Sequence, residues 1–455
     1  MGVYIGLGLV CLNMSYNVTL LSLGCAKNRV DAEILLYNLK DAGYNIVSSV
    51  NMADIVIVNT CGFIDDAKRE SIDEILSVAR LKSRGLIKAI IVTGCLAERY
   101  KDEVLKEIPE VDAVIGIGAN NNIVDVVNKA VHGIKTEDFP DKLLLPLNGK
   151  RIQTTPKQYA YLKVADGCDN RCTYCAIPLI RGRFRSRKMK DILSEAEYLA
   201  KNGVKELLVI AQDTTRYGED IYGELKLPEL LRELCKIDGI KWIRILYCYP
   251  DRITDELIDT ISKEEKILNY IDIPLQHCNG RILKLMNRRG DRESLTKLLK
   301  KIRDKIPNVI LRTTFICGFP GETEEEFNEL AEFASEIRFE RMGCFAYSQE
   351  EDTPASYMDC QIDDEVKFRR QEILMEEQMN IMEENSTKIL GKTITVLFEG
   401  YDNDSHLYFG RSMADSPDID GRVYFDILNK DVKEGEFLNI KINEFNNCDL
   451  IGEIV

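Results

Sequence analysis

Residues 159–175 read YAYLKVADGCDNRCTYC. The first seven are strand-sized and mostly apolar. Cys168, Cys172 and Cys175 follow at once, in a C-x3-C-x2-C spacing. If this strand opens a (β/α) barrel, the three thiols stand at the C-terminal mouth, where such barrels place their chemistry. The residues downstream support a barrel. YAYLKVA, ELLVIA, WIRILYC, YIDIPL, VILRTTFI and RMGCFAYS alternate with amphipathic stretches such as MKDILSEAEYLAKNG and TEEEFNELAEFASEI. Six βα units between Tyr159 and about Gln361 fit an open, partial TIM-like barrel better than a flat sheet.

A second βα series lies upstream. NVTLLSL, ADIVIVN, KAIIVT and VDAVIGI alternate with helical stretches such as VDAEILLYNLKDAG between residues 17 and 131, which predicts a small doubly wound parallel sheet. Residues 133–157 carry charges and prolines without a clear period and read as a linker with one edge strand. Downstream, residues 363–387 form one long charged amphipathic helix without Gly or Pro. From Gly391 the period falls to two, and five short strands predict a small antiparallel β-barrel. The fold class expected is therefore α/β with a C-terminal β-barrel. The expected segments are an extension over 1–16, a sheet domain over 17–146, the partial barrel over 147–362, a connecting helix over 363–386 and the small barrel over 387–455.

The 455 residues carry a net charge of −15, which argues against a bulk nucleic-acid coater. The apolar runs are strand-sized, too short for a membrane span. The opening MGVYIGLGLVCLN has no preceding Lys or Arg and lacks the start of a secretory signal; Met14 is an alternative initiator. A cytoplasmic location is expected. The three histidines, His132, His277 and His406, form no zinc-protease motif, and no GxxxxGK[ST] phosphate loop occurs. Fourteen cysteines in such a chain point to metal or redox chemistry before disulfides.

Thiolates are the usual ligands of iron–sulfur clusters. Three at this spacing suit a [4Fe–4S] cluster with one iron left open, although a zinc site lacking a partner, or three buried thiols, would share the pattern. A looser triplet lies upstream: Cys25 follows LLSLG, Cys61 follows IVIVNT and Cys95 follows IIVTG. Each leaves the C-terminal end of a predicted parallel strand, the edge where open α/β sheets bind ligands. Each alone also reads as a small buried hydrophobe; their equivalent positions favour a second cluster.

The barrel triplet resembles that of the radical S-adenosylmethionine (SAM) superfamily, over about residues 160–350. With the upstream triplet and the motifs SLGCAKNRVDAE, NTCGFIDDAKRESID, GCLAERY, CDNRCTYCAIPLIRG, YIDIPLQH and RSMADSPDIDG, the chain resembles the methylthiotransferases from about residue 17 onward. That resemblance implies a cluster domain, a radical SAM barrel and a C-terminal TRAM barrel, two [4Fe–4S] clusters, and SAM both as methyl donor and as radical source. One SAM methylates sulfur at the Cys25–Cys61–Cys95 cluster. Another is cleaved at the Cys168–Cys172–Cys175 cluster, and the adenosyl radical takes a hydrogen from the substrate carbon, which then collects the methylthio group. Ala26-Lys27-Asn28 is nearer to the branch that modifies the β-carbon of an aspartate in ribosomal protein S-twelve of the small ribosomal subunit than to the branches acting on a tRNA adenosine. An electron donor such as flavodoxin or ferredoxin and a sulfur source are implied partners. A non-enzymatic iron–sulfur carrier or sensor is the alternative from another class; it would need neither SAM anchors nor a third domain.

The resemblance puts Tyr174 against the adenine. Further SAM-binding candidates are Gln212, Asp213, Gln276 and Ser348 at strand ends, Gly318 in ICGFPGE, where backbone can approach a ligand, and Arg312, expected to face inward toward the SAM carboxylate. Each also reads as a loop cap. Arg181, Arg183, Arg185 and Arg187 form a basic run, either a solvated face or a contact for an acidic partner or RNA. Cys11, Cys235, Cys248, Cys278, Cys317, Cys344, Cys360 and Cys448 lack ligand spacing and read as packing residues, and His277 reads equally as lining the cavity or as core. Residues 385–455 hold seven basic against thirteen acidic side chains, a balance that opposes tRNA and attracts a basic protein. Asp415, Asp418 and Asp420, in one loop, are the candidates for that contact.

Overall fold

The computed structural model describes residues 16–101, 103–427 and 431–455. Met14 and Cys11 lie outside them. The chain divides into two compact units between Ile152 and Gln153, with Phe63–Asp65 grouped with the second.

In the first unit, strands β1 (Asn17–Ser22), β2 (Asn45–Ile46), β3 (Ile55–Thr60), β4 (Ala89–Gly94), β5 (Ala113–Ile115) and β6 (Thr136–Asp138) form one sheet. Its order is β2-β1-β3-β4-β5-β6 and every pairing is parallel. The edge strand β6 comes from the segment read as a linker. IVIVNT and AIIVTG are buried along their whole length because apolar layers cover both faces, as a doubly wound sheet requires.

The second unit opens with β7 (Tyr159–Lys163), a two-stranded ribbon of β8 (Ala165–Asp166) and β9 (Arg185–Ser186), and then β10 (Glu206–Ile210), β11 (Trp242–Ile245), β12 (Ile267–Asp272), β13 (Ile310–Cys317) and β14 (Arg341–Ala346). The six longer strands form an open, all-parallel sheet in the order β14-β13-β12-β11-β10-β7, the expected partial barrel. Alternate residues face opposite sides. Leu207, Val209, Ile243, Ile245, Ile271, Leu311, Phe315 and Cys344 pack in the apolar layer beneath the helices. Glu206, Arg244, Tyr270, Arg312 and Arg341 therefore face the concave side, Glu206 and Arg341 at the first residues of their strands. The helix Asp364–Ile389 leads to β15 (Thr393–Asp402), β16 (Leu407–Ser412), β17 (Val423–Asp426), β18 (Phe437–Asn446) and β19 (Asp449–Ile454). These close into a barrel, β15-β16-β17-β19-β18, by four antiparallel pairings and one parallel pairing, β17 with β19.

The small barrel meets the strand starts of the partial barrel through buried charge. Glu206 bonds Arg244 at 2.7 Å and Arg411 at 2.6 Å, and Arg411 also bonds Glu399 at 2.9 Å. Asp415 pairs with Arg341 at 2.7 Å, and Asp420 accepts from the Tyr270 hydroxyl at 2.7 Å. Trp242 and Phe437 pack edge to face, 4.8 Å between centroids. This corrects two expectations. Asp415 and Asp420 are not available to a partner, because their own side chains are buried against the partly buried Arg341 and Arg312, to which the MADSPDIDG loop supplies counter-ions. Asp418 is exposed but accepts a hydrogen bond from Tyr161 in the same seam, at 3.4 Å. Arg312 does not reach the mouth: it lies near the start of β13 and bonds Asp272 at 2.9 Å.

Burial alone would raise the Glu206 carboxyl, but the Arg411 and Arg244 charges override it and hold it below the usual carboxylate range. Its stabilisation is present above the unfolded value of about 4.3 and lost as pH falls through the lower folded value. Arg411→Ala strands Glu399 in the seam and leaves Glu206 with Arg244 alone. We expect it to cost about 3–5 kcal/mol, read as a lower urea midpoint at pH 7; a midpoint within error of wild type would refute the seam's role.

Candidate functional site

The upstream thiols leave three neighbouring strands. Cys25 caps the helix Ala26–Asp41 after β1, Cys61 follows β3, and Cys95 starts the helix Cys95–Tyr100 after β4. Strand order β1-β3-β4 makes those exits adjacent. Two glycines allow the backbones to close in. A Cβ on Gly24, whose φ is +83°, would lie 2.7 Å from the Cys61 Cβ, and one on Gly62 would lie 2.7 Å from the Leu96 Cα. A buried polar knot fixes the same three turns. The Asn28 side chain donates to the carbonyls of Leu23 and Thr60 at 2.9 and 3.1 Å, while Asn59 donates back to the Asn28 carbonyl at 2.9 Å. The Thr60 hydroxyl donates to the Thr93 carbonyl at 2.6 Å, and Ser71 both donates to and accepts from the Cys61 backbone at 3.0 Å. Asn28, Asn59, Thr60 and Ser71 lie inside the motifs quoted above, but sequence gives them no structural role, because the main-chain groups they bond are brought to them only by the fold.

The barrel triplet lies in the loop after β8, itself one residue beyond β7. Gly167, at φ +77°, lets the loop pass against Arg183, and the Cys168 amide donates to the Gly182 carbonyl at 3.2 Å. Thr173 donates from its amide to Met286 and from its hydroxyl to Leu285, at 3.1 and 2.8 Å. Asn287 donates to the Asn170 and Arg171 carbonyls at 3.1 and 2.9 Å. Burial pushes the Cys168 thiol up to about 11 and raises Cys175 further, and each is raised again by the Cys172 charge. Thiolates held in such a loop need a cation beside them, which iron supplies. Among the described residues no three His, Cys, Asp or Glu side chains converge tightly enough for a single metal ion. The donor set, two triplets of thiols without histidine, fits iron–sulfur clusters, whose thiolates bind separate irons.

Beneath the loop, Asp166 is fully buried with Lys163 and Arg181, each at 2.8 Å. Burial would raise its carboxyl; the Arg181 and Lys163 charges instead hold it well below the usual range. This resolves the arginine run. Arg181 and Arg187 are structural, the latter paired with Glu195 at 2.6 Å, while Arg183 faces solvent beside Asp169.

The SAM candidates divide. Gln212 donates to Asp166 at 3.4 Å and leaves its buried Oε1 without a hydrogen-bond partner. Asp213 accepts from Asn170 of the cysteine loop at 2.9 Å and from Thr215 at 2.6 Å. Gln276 holds φ +71° between hydrogen bonds to Thr314 and Ile316, a strained conformation for a non-glycine. Ser348 donates to Glu350 at 2.7 Å, and Tyr174 packs beside Phe319, Met286 and Tyr347. Gly318 is corrected: a Cβ there would meet Lys367 at 2.3 Å, so its open side admits the long helix, not a ligand. His277 is wholly buried, its Nδ1 accepting from the Asn279 amide at 2.9 Å, and belongs to the core. Cys248, Cys278, Cys317 and Cys344 also pack in the core, whereas Cys360 and Cys448 are exposed.

The family described as Uncharacterized protein family UPF0004 matches residues 17–116, the Radical SAM superfamily matches 162–334 and the TRAM domain matches 390–455. The Thermoanaerobacter sp. protein named ribosomal protein uS12 methylthiotransferase RimO is 51% identical over 438 residues, covering 96% of this chain and 99% of the relative. This chain belongs to the RimO family of methylthiotransferases. A RimO from Lachnoclostridium phytofermentans is 49% identical, covering 95% and 98% of the two chains. Among solved structures, the radical SAM methyltransferase TsrM from Kitasatospora setae aligns with a TM-score of 0.57 at 14% identity, over 75% of each chain, which shows a shared fold. Membership in the radical SAM superfamily implies a [4Fe–4S] cluster and SAM for the RimO family. No helix among the described residues is long and apolar enough to cross a membrane.

The close approach at Gly24 is testable. Gly24→Ala adds a Cβ at a left-handed position against Cys61, with an expected cost of about 1–3 kcal/mol, read by chemical unfolding of the full chain. An unchanged midpoint would contradict the approach.

Proposed function

We propose that this chain adds a methylthio group to the β-carbon of an aspartate in ribosomal protein uS12, acting in the cytoplasm. The observation that carries the proposal is near-full-length identity to proteins named for that activity, in a chain that also presents both thiol triplets at strand ends. Cys168, Cys172 and Cys175 would hold the SAM-binding [4Fe–4S] cluster, and Cys25, Cys61 and Cys95 a second one. When bound, these groups supply one-electron cleavage of SAM and a sulfur acceptor for its methyl group, chemistry that reaches an unactivated C–H bond no general base can deprotonate. A reductant such as flavodoxin or ferredoxin and a sulfur source complete the requirements.

The protein's own residues position these parts. Asn170, held by Asp213 and Arg252 at 2.9 and 3.1 Å, fixes the first turn of the cysteine loop, and its amide donates to the Cys168 sulfur at 3.5 Å. The Leu285–Asn287 segment fixes the second turn. Gln212, Asp213, Gln276, Ser348 and Tyr174 remain the SAM-binding candidates. In the small barrel, Asp404, Asp418, Asp426, Asp431, Glu434, Glu436, Glu444 and Glu453 are exposed, against Lys392, Arg422, Lys433 and Lys441 among the described residues after Gly391. That surface opposes RNA phosphate and speeds encounter with a basic protein.

The test is mass spectrometry of uS12 and tRNA after incubation with the reconstituted enzyme, SAM, sulfide and reductant. We expect a methylthio mass gain on one uS12 aspartate and none on tRNA. A gain on a tRNA adenosine with uS12 unmodified would establish the tRNA reading instead.

A further inference from the structure

Seven arginines are buried among the described residues: Arg151, Arg181, Arg187, Arg244, Arg288, Arg370 and Arg411. Six stand within 4 Å of a carboxylate: Arg151 with Glu33, Arg181 with Asp166, Arg187 with Glu195, Arg244 with Glu206, Arg370 with Glu324 and Arg411 with Glu206. Arg288 is the exception among the described residues. Its Nη2 donates to the Pro274 carbonyl at 2.6 Å and its Cζ lies 4.2 Å from the centroid of the Tyr249 ring. Its Nη1 points at the Cys172 sulfur, 3.7 Å away, in a buried contact. A buried guanidinium with no carboxylate in ion-pair contact is costly unless another anion faces it. Asp251 feels the Arg288 charge from farther away, and the group in direct contact is a thiol of the barrel triplet.

We infer that Arg288 is a positioning residue for the radical-generating centre: its guanidinium donates to the Cys172 thiolate and raises the reduction potential of the cluster bound there. The inference rests on the proposed assignment of Cys168, Cys172 and Cys175 as ligands. Net charge and hydrogen bonds to sulfur are among the factors that set cluster potentials, and both change in one direction here. Adding an electron makes the centre more negative, and a fixed cation a hydrogen bond away stabilises the reduced form over the oxidised one. The placement is also rigid. Arg288 follows the Leu285–Asn287 segment that holds the cysteine loop, the Pro274 carbonyl fixes one edge of its fork, and Tyr249 covers its face. An electron from the external donor thus meets a centre biased to accept it, next to a low-dielectric wall that strengthens the bias.

The experiment is an EPR-monitored reductive titration of the full-length protein carrying Cys25→Ala, Cys61→Ala and Cys95→Ala, so that one cluster is observed. Arg288→Lys keeps a cation with looser hydrogen bonding, and Arg288→Gln keeps a donor without charge. We expect the midpoint to become more negative in the order wild-type Arg288, Lys, Gln. With a limiting donor, 5′-deoxyadenosine formation should fall at least tenfold in Arg288→Gln. Iron retained by Lys but lost by Gln also supports the charge requirement. A fully loaded Arg288→Gln protein titrating at the parental midpoint, an inverted order, or loss of iron in both variants would overturn the inference. No cluster in the folded parental background would instead overturn the ligand assignment on which it rests.

Discussion

A parallel sheet delivers every chain exit to one edge, and this constraint organises both units. Cys25, Cys61 and Cys95 are separated by some 35 residues each, yet they leave three adjacent strands whose C-terminal ends are aligned by register: Thr60 opposes Gly94, and Ser22 opposes Asn59. No local motif could gather three thiols from such distances. In the second unit the same rule puts the Cys168–Cys175 loop and the Gln212, Tyr247 and Gln276 turns at one end. The opposite ends, where the strands start, are left for structure.

What fills those opposite ends is charge. Glu206, Arg244, Arg312 and Arg341 lie where an apolar floor would be simpler, and the C-terminal barrel answers them with Arg411, Asp415 and Asp420. Such a seam contributes little net stability over an apolar one, but any unpaired member is costly. Hydrogen bonds continue from it toward the mouth: Arg312 holds Asp272, Asp272 accepts from the Tyr247 amide at 2.9 Å, and the Tyr247 carbonyl accepts from the Thr214 amide beside Asp213 at 3.1 Å.

Period and strand-end logic made the three-part architecture, the positions of the six cysteines after parallel strands and the edge strand in the linker legible from sequence. What misled was charge without partners in view. The acidic loop at 413–421 reads as a solvated surface, and only the arginines of another domain, facing it from strand starts, show that Asp415 and Asp420 are counter-ions. The basic run misled in the same way, since Arg181 serves Asp166, fifteen residues away and buried. Arg312 was placed on the correct face but at the wrong end, because alternation gives the face of a strand residue and not its height. Arg288 carried no signal of its own, and the Asn28 motif did not reveal the side chain's bond to the Thr60 carbonyl, each acting on a group distant in sequence.

The central claim is that the two triplets bind two independent four-iron clusters. Mössbauer spectroscopy with iron quantification on anaerobically reconstituted protein tests it most directly, comparing wild type with each triplet replaced by alanine. The account predicts two [4Fe–4S] clusters in wild type and one, with half the iron, in each triple variant. One cluster in wild type, or loss of all iron on removing Cys25, Cys61 and Cys95 from a folded protein, would contradict it.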